Sequence, residues 1–261
     1  MNTENSLQGK TALITGAGSG IGRATALYLS RAGVRVVALS RTESELLSLK
    51  SEATNSEIIP VVADVGSSES LKAAIASMKE KVTTLDYVFA NAGINGVWAP
   101  IEDLTEDEWE QTLRINLTGT FLTVKYALPF FKQKGSIVIN ASVNGTRMFS
   151  NTGASAYASS KGGQVSFAKM MALELAKRQI RVNVICPGWI ETNIDKNTQK
   201  RSLEGLRPPI IYPEGSVPLK NGGPGSADEV AQLVWYLFSD LSSHVTGTEI
   251  FIDGGESLME G

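Results

Sequence analysis

Short apolar runs rich in β-branched residues alternate along this chain with longer stretches in which apolar residues recur every three or four positions. Runs of the first kind predict buried strands, and stretches of the second kind predict amphipathic helices of about three turns. The β-then-α unit occurs six times in succession, which favours right-handed crossovers between parallel strands. The predicted strands cover residues 11–15, 34–39, 58–63, 85–90, 136–140, 180–185 and 249–252.

The order of these units predicts the fold class. A parallel sheet whose crossovers are helices is covered on both faces, so we predict an α/β, doubly wound sheet of about seven strands with helices on both faces. No linker divides the chain, and residues 1–261 are predicted to form a single domain. Residues 189–225 hold many Pro and Gly residues and no clear element, which predicts a substrate lid. Pro129 should kink or end the helix predicted over residues 118–132.

Composition and charge exclude several classes of protein. The chain has 261 residues, 1 Cys, 1 His and a formal net charge of −3. Cys186 and His244 can supply neither an intrachain disulfide nor a zinc ligand set, so we expect no metal. No Lys/Arg block offers a surface to nucleic acid. The N-terminus lacks the pattern of a signal peptide and no apolar run is long enough to cross a membrane, so we expect a cytoplasmic protein.

The first predicted strand is followed by a glycine-rich turn and then by a helix that starts near Ile21. The common fingerprint G-x-G-x-x-G does not fit, but G-x-x-x-G-x-G fits Gly16, Gly20 and Gly22. Glycines at this point let backbone N–H groups and the positive helix end approach a pyrophosphate. The sequence therefore predicts dinucleotide binding in a Rossmann-type fold, with Ser19 and Ile21 in the same loop.

The residues after the second and third predicted strands bear on which dinucleotide binds. Ser40-Arg41 stands where an acid would accept from the ribose 2′-hydroxyl of NAD. A guanidinium pairs well with a 2′-phosphate, so NADP is favoured and NAD is the alternative; Arg41 could also be a solvated loop residue. Asp64 could accept from the adenine amino group, and it is equally plausible as a helix N-cap.

Tyr157 and Lys161 are four residues apart in a predicted helix, so their side chains share one face. A phenol has an ordinary pKa of about 10, and a neighbouring ammonium should lower it toward the working range of an acid or base. Ser142 ends the fifth predicted strand, at the edge of the sheet where doubly wound folds bind ligands. Its hydroxyl could hold a substrate oxygen.

Together with these residues, several motifs make the chain resemble the short-chain dehydrogenase/reductases, in their compact single-domain branch. The resemblance runs from Lys10 to about Ser257. It rests on residues 15–22, Asp64-Val65, Asn91-Ala92-Gly93, Asn116, Ser142, Tyr157 with Lys161, Pro187-Gly188, and residues 245–247 and 252–255. Ala90 departs from the pattern, because many members have a second Asn there.

The resemblance implies hydride transfer between a nicotinamide cofactor and a carbonyl or secondary alcohol. It assigns Tyr157 as acid/base, Ser142 as the group polarising the carbonyl, and Lys161 as the residue that lowers the Tyr157 pKa and bonds the ribose. Asn116 would anchor a water that relays protons to Lys161. The cofactor residues that it implies or supports are Gly16, Ser19, Gly20, Ile21, Gly22, Ser40, Arg41, Asp64, Val65, Asn91, Ala92, Gly93, Tyr157, Lys161, Pro187, Gly188, Ile190 and Thr192.

The substrate is less well defined by the sequence. The family includes 3-oxoacyl carrier protein reductases, sugar and polyol dehydrogenases and carbonyl reductases; a 3-oxoacyl thioester is our first candidate and a sugar or polyol the alternative. A rival of another class is a dinucleotide-sensing regulator without turnover. A basic lid containing Lys200 and Arg201 could meet an acidic substrate or could simply be solvated. Besides Ser142 and Tyr157, the expected substrate-binding residues are Asn144, Phe149 and Trp189, and further pocket candidates are Trp98, Val143 and Asn151.

Two long predicted helices, over residues 118–132 and 157–178, resemble the pair with which family members form dimers and tetramers. Exposed apolar residues such as Phe167 and Met171 would then lie in an interface. We therefore expect a homotetramer or homodimer.

Overall fold

The strands of the computed structural model closely follow the hydrophobic pattern; the structure describes residues 7–192, 194–206 and 215–259. Seven strands form one parallel sheet in the order β3-β2-β1-β4-β6-β7-β9, which confirms the predicted doubly wound architecture. Each predicted strand is present, with ends that differ by at most a few residues. The strands are β1 Thr11–Thr15, β2 Arg35–Ser40, β3 Ile58–Val62, β4 Tyr87–Ala90, β5 Gly96–Trp98, β6 Gly135–Asn140, β7 Ile180–Pro187, β8 Thr198–Lys200 and β9 Glu249–Ile252.

Helices cover both faces of this sheet, and each face has its own apolar core. One core joins the sheet to α3, α5 and α6, and the other joins it to α1, α2 and α7. These cores form because β-branched residues point alternately to the two faces of each strand, and both faces are buried. The helices are α1 Gly20–Arg31, α2 Glu43–Ser51, α3 Ser68–Ser77, α4 Glu106–Leu113, α5 Gly119–Ala127, α6 Ser155–Glu174, α7 Ala227–Phe238 and α8 Glu256–Met259.

The order of the strands reverses at β1. The chain runs outward from β1 to β2 and β3, and then returns to place β4 on the other side of β1. The crossover helices leave in opposite directions at this point, which opens a crevice at the carboxyl ends of β1 and β4. The loops after these strands therefore form the walls of a binding cleft.

The lid segment contains an element that the hydrophobic pattern did not predict. Strand β8 lies within residues 189–225 and pairs in parallel with β5, with Gly96 opposite Thr198 and Trp98 opposite Lys200. The backbone N–H of Arg201 extends the pairing by donating to the Trp98 carbonyl at 2.9 Å. Three-residue strands are too short for a periodic signal, and these two become strands only because the fold brings them together. Residues 193 and 207–214 of the predicted lid lie outside the described residues.

The helices α5 and α6 differ from their sequence prediction in which apolar side chains they expose. Phe167 and Met171 are only half-exposed and pack against the core. The exposed apolar side chains are instead Phe121, Met170 and Leu173, with exposed fractions of 41%, 66% and 80%. Phe121 and Phe167 make an edge-to-face contact with ring centroids 6.1 Å apart. The apolar face exists, but it is rotated away from the positions predicted.

Pro129 has the effect that its geometry predicts. Helix α5 ends at Ala127, and the chain continues as a single 3₁₀ turn over Leu128–Phe130. Proline lacks the N–H that a further α-helical turn would need. Among the described residues, no helix is long and apolar enough to cross a membrane.

Candidate active site

A cavity of about 770 Å³ runs along the carboxyl edge of the sheet, from the loop after β1 to strand β8. Most of the residues that the sequence predicted for cofactor or substrate line this cavity. They are Gly16, Ser19, Gly20, Ile21, Ser40, Arg41, Asp64, Val65, Asn91, Ala92, Gly93, Ser142, Asn144, Tyr157, Lys161, Pro187, Gly188, Trp189, Ile190 and Thr192. The pocket candidates Trp98, Val143 and Asn151 line it too.

Three predicted site residues do not line the cavity. Gly22 lies one step behind its wall, where a Cβ would overlap the Gly16 carbonyl oxygen. Asn116 is completely buried behind the wall. Phe149 is 67% exposed and does not line the cavity. The neighbouring Met148 is buried and lines the cavity instead.

The loop before α1 fits a pyrophosphate. Gly16 and Gly20 have φ angles of 66° and 52°, a conformation that other residues rarely adopt. Ser19 stands at the N-cap of α1 but makes no side-chain capping bond, and the first turn of α1 contains no acid. By contrast, the N-termini of α3, α4 and α7 are capped by the side chains of Ser67, Thr105 and Ser226. The first N–H groups of α1 therefore have no side-chain cap and can bind an anionic ligand.

One end of the cavity lies beside the carboxyl end of β2, where the sequence predicts the adenosine part of the cofactor, and is called the adenosine end here. It carries two charged side chains of opposite sign, Arg41 and Glu45. Arg41 is exposed, and no acidic side chain among the described residues pairs with it. The side chain of Glu45 extends from α2 to the loop before α1, where a Cβ on Gly18 would overlap its Oε2 atom. The same Cβ would lie 2.9 Å from Oγ of Ser40. The sequence prediction included Arg41 but missed Glu45.

Asp64 is held in a local turn at this end of the cavity. Its Oδ1 accepts from the Gly66 N–H at 2.8 Å. The N-cap of α3 is Ser67, whose side chain accepts from the Ser70 N–H. Of the two interpretations of Asp64, the helix N-cap is therefore excluded; binding of the adenine amino group stays a prediction.

At the other end of the cavity, Ser142 and Tyr157 face each other. Both are buried, with 5% and 8% of their surface exposed. Burial raises the pKa of Tyr157, and a hydrogen bond from the Ser142 hydroxyl acts in the opposite direction. Ser142 also accepts from the Asn144 N–H at 3.2 Å, which orients its hydroxyl. The two hydroxyls can therefore meet one oxygen atom in the cavity.

Lys161 is buried beside Tyr157 in α6. Its Nζ atom lies 5.5 Å from the centroid of the Tyr157 ring and donates to the Asn140 carbonyl at 2.8 Å. Burial lowers the pKa of Lys161 to about 8. The sequence predicted that this ammonium would lower the pKa of Tyr157; in this structure the pKa of Tyr157 is raised, chiefly by burial. Burial disfavours the charged form of both groups.

Asn116 holds the cavity wall from behind. It lies in a five-residue π-helical segment, Arg114–Thr118, that joins α4 to α5. Its Oδ1 accepts from the Ile94 N–H at 2.8 Å, and its Nδ2 donates to the Ile94 carbonyl at 2.9 Å and to Ser160 Oγ at 3.0 Å. Both amide hydrogens are thereby used, so anchoring a water is left to the second lone pair of Oδ1 and stays a prediction.

Asn91 ties the loop after β4 to the loop after β1. Its backbone N–H donates to Thr15 Oγ1 at 3.0 Å, and its Nδ2 donates to the Thr15 carbonyl at 3.0 Å. Its Oδ1 accepts from Asn140 Nδ2 at 2.8 Å, which extends the chain of bonds to β6. Ala90 lies in the sheet beside Ile139. The carboxyl ends of β1, β4 and β6 are thus cross-linked by amide side chains under the cavity floor.

The C-terminal helix contributes a buried carboxylate that the sequence reasoning missed. Glu256 is 5% exposed and lines the cavity. Its Oε2 accepts from the Trp189 N–H at 2.6 Å, and a Cβ on Gly188 would overlap the same atom. The predicted lid segment also approaches the loop before α1, since a Cβ on Gly20 would lie 3.3 Å from the Thr192 side chain. An acid directly after the Asp-Gly-Gly motif was the available signal for Glu256.

Polar side chains line the substrate end of the cavity. Asn151 Nδ2 donates to Asn144 Oδ1 at 2.9 Å. Lys200 of the lid strand lies 5.6 Å from the centroid of the Trp98 ring, and no acidic side chain of the described residues pairs with it. Within the described residues, no group of three or more His, Cys, Asp or Glu side chains is placed to hold a metal ion.

Arg201, the next lid residue, faces away from the cavity. It donates to both carboxylate oxygens of Glu108, at 2.9 Å and 2.8 Å, and to the Asp103 carbonyl. These bonds hold the pKa of Glu108 at about 2. Arg201 therefore anchors this segment, whereas its neighbour Lys200 faces the cavity.

Comparison with known proteins gives one consistent result. The profile of the family described as "Enoyl-(Acyl carrier protein) reductase" matches residues 16–257. The chain is 36% identical over 253 residues to the 3-oxoacyl-[acyl-carrier-protein] reductase FabG of Thermotoga maritima, covering 95% of this chain and 98% of the relative. It superposes on a 3-ketoacyl-ACP reductase from Sinorhizobium meliloti with a TM-score of 0.92 and 47% identity, covering 95% of this chain and 99% of the other.

Two further solved structures contain nicotinamide cofactors. A 3-ketoacyl-(acyl-carrier-protein) reductase from Brucella melitensis, complexed with NADH, matches with a TM-score of 0.85 and 29% identity over 97% of this chain and 100% of that chain. A short chain dehydrogenase from Burkholderia cenocepacia, in complex with NADP, matches with a TM-score of 0.84 and 29% identity over 97% of this chain and 99% of that chain.

Proposed function

The chain belongs to the short-chain dehydrogenase/reductase family of NAD(P)-dependent oxidoreductases, and from that premise we propose that it interconverts a ketone and a secondary alcohol with NADP(H). The observation that carries this proposal is the buried pair of hydroxyls, Ser142 and Tyr157, beside the ammonium of Lys161. All three lie at the end of a cavity that begins at a phosphate-binding loop.

Each of these side chains has its own role in the reduction of the carbonyl. NAD(P)H, when bound, supplies the hydride to the carbonyl carbon. Ser142 donates a hydrogen bond to the carbonyl oxygen, and Tyr157 transfers its phenolic proton to that oxygen as negative charge develops. Lys161 stabilises the resulting phenolate, whose formation the buried site otherwise opposes. In the reverse direction, Tyr157 accepts the proton of the alcohol.

Arg41 supports NADP(H) as the preferred cofactor. It is exposed at the adenosine end of the cavity and has no acidic partner among the described residues, so its guanidinium is available for a 2′-phosphate. Ser40 beside it can donate a further hydrogen bond. NAD(H) is the alternative, and related structures have been solved with either cofactor.

A 3-oxoacyl thioester is the first candidate substrate, and similarity to 3-oxoacyl-ACP reductases supports it. The paired amides of Asn144 and Asn151 favour a second candidate, a sugar or polyol, because amides can bond to several hydroxyl groups. Both candidates can be tested by following NADPH and NADH consumption with acyl thioesters, sugars and simple ketones. The rival interpretation, a dinucleotide-sensing regulator, predicts binding without turnover on any of them.

The decisive variant is Tyr157→Phe. We expect it to lower kcat by about 1,000-fold or more, because the proton donor is lost, while NADP⁺ still binds in calorimetry. Tyr126→Phe is a matched control, since the Tyr126 hydroxyl bonds to Ser68 and neither residue lines the cavity, and it should retain full activity. Turnover that survives in Tyr157→Phe would overturn the proposed mechanism.

We also propose that the exposed apolar face of α5 and α6, with Phe121, Met170 and Leu173, is the contact of a homodimer within a homotetramer. Exposed apolar residues on neighbouring helices favour association with a second copy. Sedimentation velocity at micromolar concentration tests this, and a monomer would contradict it.

A further inference from the structure

Cofactor choice in this chain involves a second charged residue besides Arg41. Glu45 lines the adenosine end of the cavity, and its carboxylate lies over Gly18 and beside Ser40. Gly18 belongs to the phosphate loop, and Ser40 ends β2. In a Rossmann-type site, the adenosine ribose lies between these two elements. The carboxylate of Glu45 is therefore beside the place where the 2′ position of the ribose must come.

We propose that Glu45 opposes Arg41 and sets the cofactor preference of this chain, so that NAD(H) is bound nearly as well as NADP(H). The proposal rests on the proposed function and refines its cofactor specificity. A carboxylate can accept a hydrogen bond from the 2′-hydroxyl of NAD, and it repels the 2′-phosphate of NADP. Repulsion of one ligand alters specificity as effectively as attraction of the other.

The surroundings of Glu45 support this role. No ion pair with a described residue neutralises its carboxylate, and Arg41 is likewise unpaired. Arg23 bonds to the Glu45 backbone carbonyl at 3.3 Å, while its charge is paired with Glu52 at 2.6 Å. Both charges thus line the same end of the cavity, and neither is paired with a described residue.

The contact with Glu45 explains why position 18 is a glycine. It is not part of the G-x-x-x-G-x-G pattern, and the usual sequence fingerprints leave it unassigned. A side chain there would collide with the end of the Glu45 side chain and lie 2.9 Å from Ser40 Oγ. The absence of a side chain at Gly18 lets the Glu45 carboxylate reach the ribose region from α2.

The test is the ratio of the dissociation constants for NADP⁺ and NAD⁺, measured by isothermal titration calorimetry on the wild-type protein and on Glu45→Gln. Removing the charge should tighten NADP⁺ binding by about fivefold, which corresponds to about 1 kcal/mol of repulsion. NAD⁺ binding should weaken or stay constant. Glu43→Gln removes an equal charge from the exposed start of α2, outside the cavity, and should change the ratio by less than about twofold.

Two additional measurements keep the result unambiguous. Glu45→Ala also removes the hydrogen-bond acceptor, so it should weaken the binding of NAD⁺ more than Glu45→Gln does. Adenosine 2′,5′-bisphosphate and adenosine 5′-monophosphate, which lack the nicotinamide, should show the same change in ratio as the full cofactors. An unchanged ratio in Glu45→Gln, or an equal change in Glu43→Gln, would overturn the role of Glu45. Failure of the wild type to bind either dinucleotide would instead overturn the proposed function.

Discussion

The two ends of the cavity hold their charged groups in opposite ways. At the adenosine end, Arg41 is exposed and Glu45 is half-buried, and neither is paired with a described residue. At the reacting end, Lys161 is 4% exposed and its ammonium bonds to the Asn140 carbonyl. Solvated charges cost little to keep and can be exchanged, whereas a buried charge lowers the stability of the fold.

Because of this difference, cofactor specificity can change independently of the catalytic residues. Cofactor preference can be altered by exposed side chains whose replacement leaves the core intact. The reacting end cannot be altered in this way, because Asn116, Ser142 and Asn140 belong to the buried bonding network around Tyr157 and Lys161.

Lys161→Met should reduce turnover by at least about 100-fold, because the phenolate loses its cation, and yet it should raise the melting temperature at pH 7. Burial lowers the pKa of Lys161 to about 8 from 10.5. That difference corresponds to a cost of about 3 kcal/mol for the charged side chain in the folded state. Removing the buried charge should therefore stabilise the fold, and loss of the hydrogen bond to the Asn140 carbonyl should offset about 1 kcal/mol of this stabilisation.

The pH dependence of this stabilisation has a definite sign. Below the folded pKa of about 8 the wild type bears the full cost of the buried charge. As the pH rises toward the unfolded pKa, the folded state has already lost its proton and the cost disappears. The advantage of Lys161→Met in thermal unfolding should therefore shrink between pH 8 and 10. Lys72→Met, at an exposed position in α3, is the control and should show neither effect. A variant that is less stable than wild type at pH 7 would contradict the contrast.

Arg41→Ala should raise the KM for NADPH by about tenfold, which corresponds to the loss of about 1.4 kcal/mol of binding, and leave the KM for NADH nearly unchanged. The melting temperature should not move, because Arg41 is exposed and unpaired with described residues. Steady-state kinetics with both cofactors and a thermal scan measure these quantities. A clear loss of stability would show that the adenosine end is as tightly coupled to the fold as the reacting end.

Arg201→Gln should have the smallest effect. It removes the bidentate ion pair with Glu108 that fixes β8 and the lid, so we expect the KM of the substrate to rise about twofold while kcat is unchanged. Limited proteolysis should cut near residue 201 faster than in wild type. Since Arg201 holds the pKa of Glu108 at about 2, the wild-type contact should persist from neutral pH down to about pH 4. Lys134→Gln breaks an exposed ion pair with Asp240 outside the cavity and serves as the control.

The parts of the molecule that the sequence predicts are those determined by local spacing. Gly16 and Gly20 adopt the backbone conformations that only glycine enters easily, and Tyr157 and Lys161 share a helix face because they are four residues apart. The seven sheet strands follow from runs of β-branched residues, since both faces of a parallel sheet are apolar.

The parts that the sequence does not predict depend on contacts between distant segments. Strand β8 exists only where β5 meets it, and Glu256 reaches the cavity from the opposite end of the chain. Phe149 was assigned to the site because it is aromatic and near Ser142, but the direction of its side chain is set by a turn that no spacing rule describes. The raised pKa of Tyr157 depends on burial, which a sequence pattern does not measure.

The position of β1 between β2 and β4 has a consequence for how the chain acquires its structure during synthesis. The strands β1, β2 and β3 can pair as soon as they leave the ribosome, because each neighbour follows within one crossover. The other half of the sheet has to start from the free side of β1 when β4 arrives, and it ends with β9 near the C-terminus. Until then, the apolar free edge of β1 is open to pairing with other chains, so the interval before β4 emerges carries a risk of aggregation.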